Sequence, residues 1–340
     1  CTAVAVLATA GVFFVRPDPS FTTLALSLVI VGTVGAELAM VFYNAMLPDL
    51  VPSRRLGRWS GWGWAAGYAG GLCCLVLFLF ALVLDGAWIS VPRDQALHLR
   101  IGFAGCALWF ALFALPVFLF TPDRAGAGLP LAAAVRTGFG QLWHSLRNAR
   151  QHTGVLRFLL ARMLYTDALT TIFALGGIYA AATLNLDTTG VLVFGIAINV
   201  TAGLGAFALA WVDDWIGAKT TILLALVAVA VSIAVLLLTD SAPVFWTAAL
   251  AMGLFLGPAQ AASRSLMAHL APPQLRGEMF GLFALAGKAT AFLGPWCVGL
   301  LTAVSGSQRI GLSSVLVFLT LGGLILLRVP SASAADESSE

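Results

Sequence analysis

Residues 50–71 read LVPSRRLGRWSGWGWAAGYAGG, and residues 270–291 read LAPPQLRGEMFGLFALAGKATA. Set over each other at a constant offset of 220, without a gap, they agree at Leu50/Leu270, Pro52/Pro272, Gly57/Gly277, Gly61/Gly281, Ala66/Ala286, Gly67/Gly287 and Ala69/Ala289. Each copy leaves one apolar run, crosses a basic loop and enters another apolar run through a glycine-rich first turn. Two parallel halves built on one repeat form a common membrane plan, in which a solute is held between the halves.

Composition fixes the class. The chain is 60% hydrophobic and 10% charged, with a mean hydropathy of +0.96. A soluble domain of this length carries far more charge. Long apolar runs joined by short polar segments mark a polytopic helical membrane protein, with the lipid bilayer as its first partner. The net charge of +3 comes from scattered loop residues and forms no stripe, so nucleic acid is not an expected partner. The five cysteines contain no CxxC, and the four histidines show no HExxH. We therefore expect no disulfide, no metal site and no cofactor. HExxH, GxSxG and a P-loop are all missing from the sequence, which argues against an intramembrane enzyme and against ATP drive within the chain. The chain begins at Cys1, already inside an apolar run and without a basic n-region. That is not a signal peptide, and it reads as an N-terminally truncated protein.

Ten spans are predicted, at about 1–15, 22–47, 61–84, 101–120, 155–182, 189–211, 218–238, 244–267, 279–303 and 309–329. Most reach the ~20 residues needed to cross a bilayer. The 220-residue offset carries 218–238 onto the first run, and carries 155–182 and 189–211 ahead of Cys1. The fold class is therefore an all-α polytopic membrane protein of two pseudo-symmetric six-helix halves, with helices 3–12 of twelve present. Residues 1–120 form the N-terminal half, 121–154 a linker, 155–329 the C-terminal half and 330–340 a disordered tail. In the linker, Leu131, Val135, Phe139, Leu142 and Leu146 recur at helical spacing, which predicts an amphipathic surface helix acting as a tether.

Orientation follows from the basic residues. Arg54, Arg55, Arg58, Arg124, Arg136, Arg147, Arg150, Arg157, Lys219, Arg264, Arg276 and Arg328 fall in one set of loops or ends, and Arg16, Arg93, Arg100 and Arg309 in the other. The positive-inside rule puts the first set, and the C-terminus, in the cytoplasm.

The loop after 189–211 contains Asp214-Trp215-Ile216-Gly217-Ala218-Lys219. This resembles the D-x-x-G-x-K/R signature of the major facilitator superfamily, at the place of its second copy. Trp215 stands where an arginine is usual, and Ala210 where a glycine is usual. Within the superfamily the chain is most similar to the vacuole-effluxer-like, or autophagy-related permease, branch. The segments that carry the likeness are FYNAMLPDL at 42–50, SGWGWAAGYAGG at 60–71, QAASRSLMAHLAP at 260–272, GEMFGLFALAGKATAFLGP at 277–295 and GSQR at 306–309. The resemblance implies a secondary transporter in which helices 3, 6, 9 and 12 face lipid and the others line a cavity. Eukaryotic relatives export amino acids from the vacuole. It also implies a gate, formed by Asp213, Asp214, Gly217 and Lys219, that closes on the start of helix 11 near Glu278. The other reading of those residues is an ordinary charged turn.

The charges inside spans are Glu37, Arg162, Asp167 and Lys288. A charge at mid-bilayer costs roughly 2.5–3.5 kcal/mol on insertion scales, so such residues are paired or face water. Glu37 has two readings of equal weight, a proton carrier and a structural partner of a missing helix. Asp167 is the deeper site candidate on its helix, and Arg162 is expected to snorkel. Lys288 is expected to meet Asp167 or an acidic group of the solute. Tyr43, Asn44 and Gln260 form a second tier along the solute and proton pathway, whereas Asn199 is expected to be structural. Gly63, Gly67 and Gly71 form a stripe expected to let another helix pack closely. Gly294-Pro295 is expected to kink its helix.

These features predict a secondary active transporter of a small polar solute, an amino acid or related metabolite, working by alternating access in the direction of efflux, with protons as a candidate partner. It is expected to act as a monomer in a bacterial cytoplasmic membrane, since arginine outnumbers lysine sixteen to two, a GC-rich bias. The alternative is a non-transporting membrane sensor or scaffold with a transporter fold.

Overall fold

The computed structural model describes residues 1–84, 86–122 and 153–330, together with 130, 133, 136–138, 140 and 141. The linker helix read at 131–146 falls largely outside these residues, and the tail after Pro330 wholly so. The elements in chain order are α1 (Thr2–Gly11), α2 (Thr22–Leu50), α3 (Leu56–Phe78), α4 (Leu97–Phe120), α5 (Thr153–Leu184), α6 (Thr188–Ala208), α7 (Ala210–Ile216), α8 (Ala218–Leu238), α9 (Ala242–Leu270), α10 (Arg276–Ala289), α11 (Leu293–Ser305) and α12 (Gln308–Leu327). Among the described residues, nine helical stretches are long and apolar enough to cross a membrane, and Thr2–Phe14 is a shorter apolar helix. These ten coincide with the ten predicted spans. Helices are the form such a chain must take, because each satisfies its own backbone polar groups where no water is available.

The chain forms two compact units. One comprises residues 1–43 and 70–135, and the other 44–69 and 136–340. In the first unit α1 lies close on α2 at Gly35, where a Cβ would come 3.0 Å from the Ala5 nitrogen. Arg100 of α4 donates from Nε to the Phe13 carbonyl at 2.6 Å and lies over that ring.

The second unit is organised around α9, which buries Ala249, Met252, Leu256, Ala259, Ala262 and Leu266. Gly253 and Gly257 of α9 and Gly205 of α6 leave no room for a Cβ, so the two backbones touch. Small residues one turn apart give membrane helices this close approach, which substitutes dispersion contacts for a hydrophobic driving force. Asp187 caps α6 by accepting the Gly190 N–H at 2.8 Å. Gly217, at φ +84°, makes the turn between α7 and α8, a conformation that costs a side-chain-bearing residue far more.

The span predicted at 279–303 is two helices. It breaks at Thr290–Phe292, between α10 and α11. Pro295 explains the position: its ring collides with the carbonyl four residues earlier, at Ala291, and it donates no hydrogen bond.

Candidate functional site

The last turns of α2, from Asn44, and the start of α3, to Ala69, pack with the second half of the chain in one unit. Their joint with α9 is built on Arg264, which is 3% exposed. Its Nε donates to Ser60 Oγ at 2.9 Å, its Nη2 to the Ser60 carbonyl at 2.7 Å and its Nη1 to Asn44 Oδ1 at 3.2 Å. Ser60 Oγ in turn donates to the Ala261 carbonyl at 2.6 Å. The planar guanidinium fork suits such a site, because its donors diverge to fixed acceptors on two helices at once. Asn44 and Arg264 are 220 positions apart, which is the repeat offset. The contact therefore joins the two copies of the repeat at matching positions.

Beside this joint stand the aspartates of α7. Asp213 is buried, accepts Ser265 Oγ–H at 2.5 Å, and covers Gly57, where a Cβ would sit 2.5 Å from the Asp213 Cγ. Burial pushes its carboxyl up to about 6; the Ser265 hydrogen bond works against this, the neighbouring Asp214 charge adds to it, and His269 opposes it. Asp214 accepts the Arg58 backbone N–H at 3.1 Å and faces the Arg58 Nε at 3.3 Å. A carboxylate is favoured there by the first-turn N–H groups of α3 as well as by the arginine. Arg58 also lies 5.9 Å from the Trp211 ring centre, and Trp62 packs on Phe207 and Trp211. At the rim Arg276 pairs with Asp49 at 2.5 Å, and the His269 ring lies between two carbonyls, its Nδ1 2.8 Å from that of Ser265 and its Nε2 3.2 Å from that of Ser53. Lys219 caps α12, donating to the Leu327 and Val329 carbonyls at 2.9 and 2.6 Å.

The two gate aspartates therefore meet the start of α3, not the start of α10 where Glu278 stands, while Lys219 goes to α12. The repeat gives the reason. The start of α3 is the mate of the start of α10, and a motif in the second half docks on the first half's copy. Arg264 also departs from expectation. It was counted among loop residues, but α9 runs on to Leu270 and holds it inside.

The other predicted residues are dispersed. Glu37 is half-buried in the first unit, and Tyr43 is 42% exposed. Gln260 Nε2 lies 3.5 Å from the Tyr68 hydroxyl. Asn199 bonds within its own helix, to the Gly195 carbonyl. Arg162 does not snorkel: it donates to the Phe283 carbonyl at 2.5 Å and stacks over that ring at 3.5 Å, held between α5 and α10. Asp167 is 1% exposed and accepts the Gly294 N–H at 2.8 Å. Among the described residues its other oxygen has no hydrogen-bond partner, and Lys288 is exposed. Gly67 and Gly71 have nothing within 4 Å of a Cβ position, so among the described residues no helix packs closely on them. The tight glycines of α3 are instead Gly57 and Gly61, one turn apart at its start.

Ser60, Arg58, Ser265 and Arg264 escaped sequence reasoning. The offset pairing Asn44 with Arg264 was the available signal.

The comparisons agree with this architecture. Residues 1–339 match the model of the family described as "Vacuole effluxer Atg22 like". The uncharacterized MFS-type transporter YxiO of Bacillus subtilis is 24% identical over 310 residues, covering 91% of this chain and 72% of that protein. Autophagy-related protein 22 of Saccharomyces cerevisiae (strain S288c) is 28% identical over 351 residues, covering 90% and 64%. The Cryptococcus neoformans (strain JEC21) protein of that name is 27% identical over 304 residues, and this chain spans only about half its length, 52%. Among solved structures, the proton:xylose symporter XylE superposes with a TM-score of 0.72 at 16% identity, covering 97% of this chain and 79% of that one. The human organic anion transporter MFSD10 gives 0.68 at 17%, covering 96% and 76%. At these identities the likeness fixes the fold, which is that of the major facilitator superfamily.

Proposed function

The chain belongs to the vacuole effluxer Atg22-like family, and from that premise we propose that it is part of a secondary transporter exporting a small polar solute, an amino acid or related metabolite, by alternating access. The observation that supports this reading is the Arg264–Ser60–Asn44 joint with its flanking aspartates. It ties the two repeat copies through a buried hydrogen-bonded network, beside the close contact of Gly61 with Ala206 and Ala210 and the ring contacts of Trp62, and a rocking motion breaks and remakes that network as a unit. A purely structural joint in lipid is built of small apolar residues, as α6 and α9 show.

On this reading the joint is the cytoplasmic gate, and the protein lies in a bacterial inner membrane with its C-terminus inside. A cysteine at Arg276 should then be shielded from an impermeant outside reagent in intact cells, and one at Arg93 should react. Glu37 is a candidate for moving a proton as the halves rock. Glu37→Gln should bind solute but lose accumulation driven by a pH gradient, and unchanged accumulation would leave Glu37 structural.

Metabolite profiling of a strain lacking the gene tests the solute class. Retention of small polar metabolites inside the cell is expected. Retention only of bulky apolar compounds would instead mean a drug exporter, and no change in any compound would favour a sensor or scaffold.

A further inference from the structure

Asp167 sits near the middle of α5, where it is 1% exposed. It belongs to the break in the following half-helix as much as to its own helix. In the first turn of α11, the Leu293 N–H goes to the Thr290 carbonyl at 2.8 Å and the Trp296 N–H to the Phe292 carbonyl at 3.0 Å, while Pro295 has none to give. The Gly294 N–H is left, and Asp167 Oδ2 takes it at 2.8 Å. The fit is close: a Cβ on Gly294 would collide with Thr171 Oγ1 and lie 3.3 Å from the Asp167 carbonyl. Asp167 Oδ1 is buried at the same place with no hydrogen-bond partner.

We propose that Asp167 Oδ1 is the seat of a proton that the transport cycle binds and releases, and that this proton sets how firmly α11 is tied to α5. The proposal rests on the transporter reading for its place in a cycle, but its chemistry stands on this site. A carboxylate at the N-terminal end of a helix is held by the N–H and by the helix dipole. Its second oxygen, buried and without a hydrogen-bond partner among the described residues, is costly to leave so. A proton is the smallest ligand that answers it, and among the described residues no other group is hydrogen-bonded to Oδ1. Once neutral, the acid keeps only an uncharged hydrogen bond to Gly294, about half as strong as the charge-assisted one. The tie then loosens, and α11 is free to swing at the Thr290–Phe292 break.

The surroundings leave this titration to Asp167. Of the helices packed on α5, α6 carries no titratable side chain and α11 only Cys297. On α9, Arg264 is engaged with Ser60 and Asn44, and His269 with Ser265 and Ser53. On α12, Arg309 pairs with Asp240. On α10, Arg276 pairs with Asp49, Glu278 lies in the first turn, and Lys288 is exposed. On α5 itself, Arg162 is bonded to Phe283, Tyr165 to Ser263 and Tyr179 to Leu236, while Arg157 reaches the Arg328 carbonyl.

Two readouts on the purified protein in lipid test this, and neither needs a solute. In infrared difference spectra across a pH titration, the parent is expected to show one protonated-carboxyl C=O component that Asp167→Asn lacks, the bands of Asp213 and the other carboxyls being common to both. In a background freed of native cysteines, a cysteine at Ala291 is labelled at each pH, normalised to one at Ser305 to remove the thiol's own titration. Labelling is expected to be several-fold faster at acid than at alkaline pH, pH-independent in Asp167→Asn, and pH-dependent again in Asp167→Glu. If Asp167→Asn does not fold, the parent and Asp167→Glu profiles decide. Labelling of the parent that ignores pH, or carboxyl bands that are identical in the parent and in Asp167→Asn, overturns the proposal. A protein that passes both tests yet moves no solute would sink the transporter reading and leave this site standing.

Discussion

Gly57 at the start of α3 and Gly277 at the start of α10 are repeat mates, each opening a helix after a basic loop. Around Gly57 there is no room, since a Cβ would lie 2.5 Å from the Asp213 Cγ. Around Gly277 there is nothing within 4 Å. The residues that follow differ in the same sense: Arg58 holds Asp214, while its mate is the acidic Glu278. The shared glycine is thus a notch, and the aspartate of the gate motif is what fills it.

Breaking the hub beside the filled notch should have the largest effect. Arg264→Ala leaves Ser60 and Asn44 buried without their donor, at about 1–3 kcal/mol for each unsatisfied group. Thermal unfolding followed by tryptophan fluorescence should show a marked loss, and Arg264→Lys should not restore it, because an ammonium cannot reach three divergent acceptors in this geometry.

The two notches themselves come next. Gly57→Ala forces a methyl into Asp213 and should cost about 1–3 kcal/mol, the usual range for overpacking. Gly277→Ala meets open space and should be neutral or stabilising by up to about 1 kcal/mol through helix propensity. Equal effects at the two glycines would erase the distinction.

A smaller effect follows from Asp213. Burial raises its carboxyl to about 6 in the closed notch, whereas an opened notch returns it toward the ordinary carboxylate range. The closed form then binds more protons. Acid therefore favours closure: the contribution is full below the ordinary range and is lost as pH rises through about 6. Between those limits the closed-to-open ratio should rise by up to about tenfold per unit of falling pH. Asp213→Asn should flatten that profile in a site-directed fluorescence assay of opening.

The smallest effect lies away from both notches. An apolar cavity of about 40 Å³ is lined by Gly176, Tyr179, Phe194, Leu236 and Phe245 among others. Gly176 has open space at its Cβ position. Gly176→Ala should raise the unfolding temperature slightly, by up to about 1 kcal/mol of added packing and helix propensity.

The spans, the repeat and the position of the gate motif were legible because hydropathy and register are properties of the chain alone. The gate's partner was not, since the choice between the starts of α3 and α10 depends on which half a loop crosses to. Arg264 was misread because a basic residue near a span's end looks like a loop residue until its acceptors are known, and those lie 204 and 220 positions away. Gly63, Gly67 and Gly71 showed the spacing of a packing stripe, yet the neighbour that would use it does not follow from spacing. Asp167 was legible as a buried charge, but its bond to Gly294 depends on a helix break that Pro295 only hinted at.

Arg54, just before α3, and Gln274, just before α10, are both exposed, and spin labels there report the joint directly. Their distance distribution, measured by pulsed electron resonance in lipid, should hold a short and a long population. The short one should grow as pH falls toward about 6 and below, and Arg264→Ala should shift the protein to the long one. A single short distance, unmoved by pH and by Arg264→Ala in folded protein, would show the joint to be a fixed brace and not a gate.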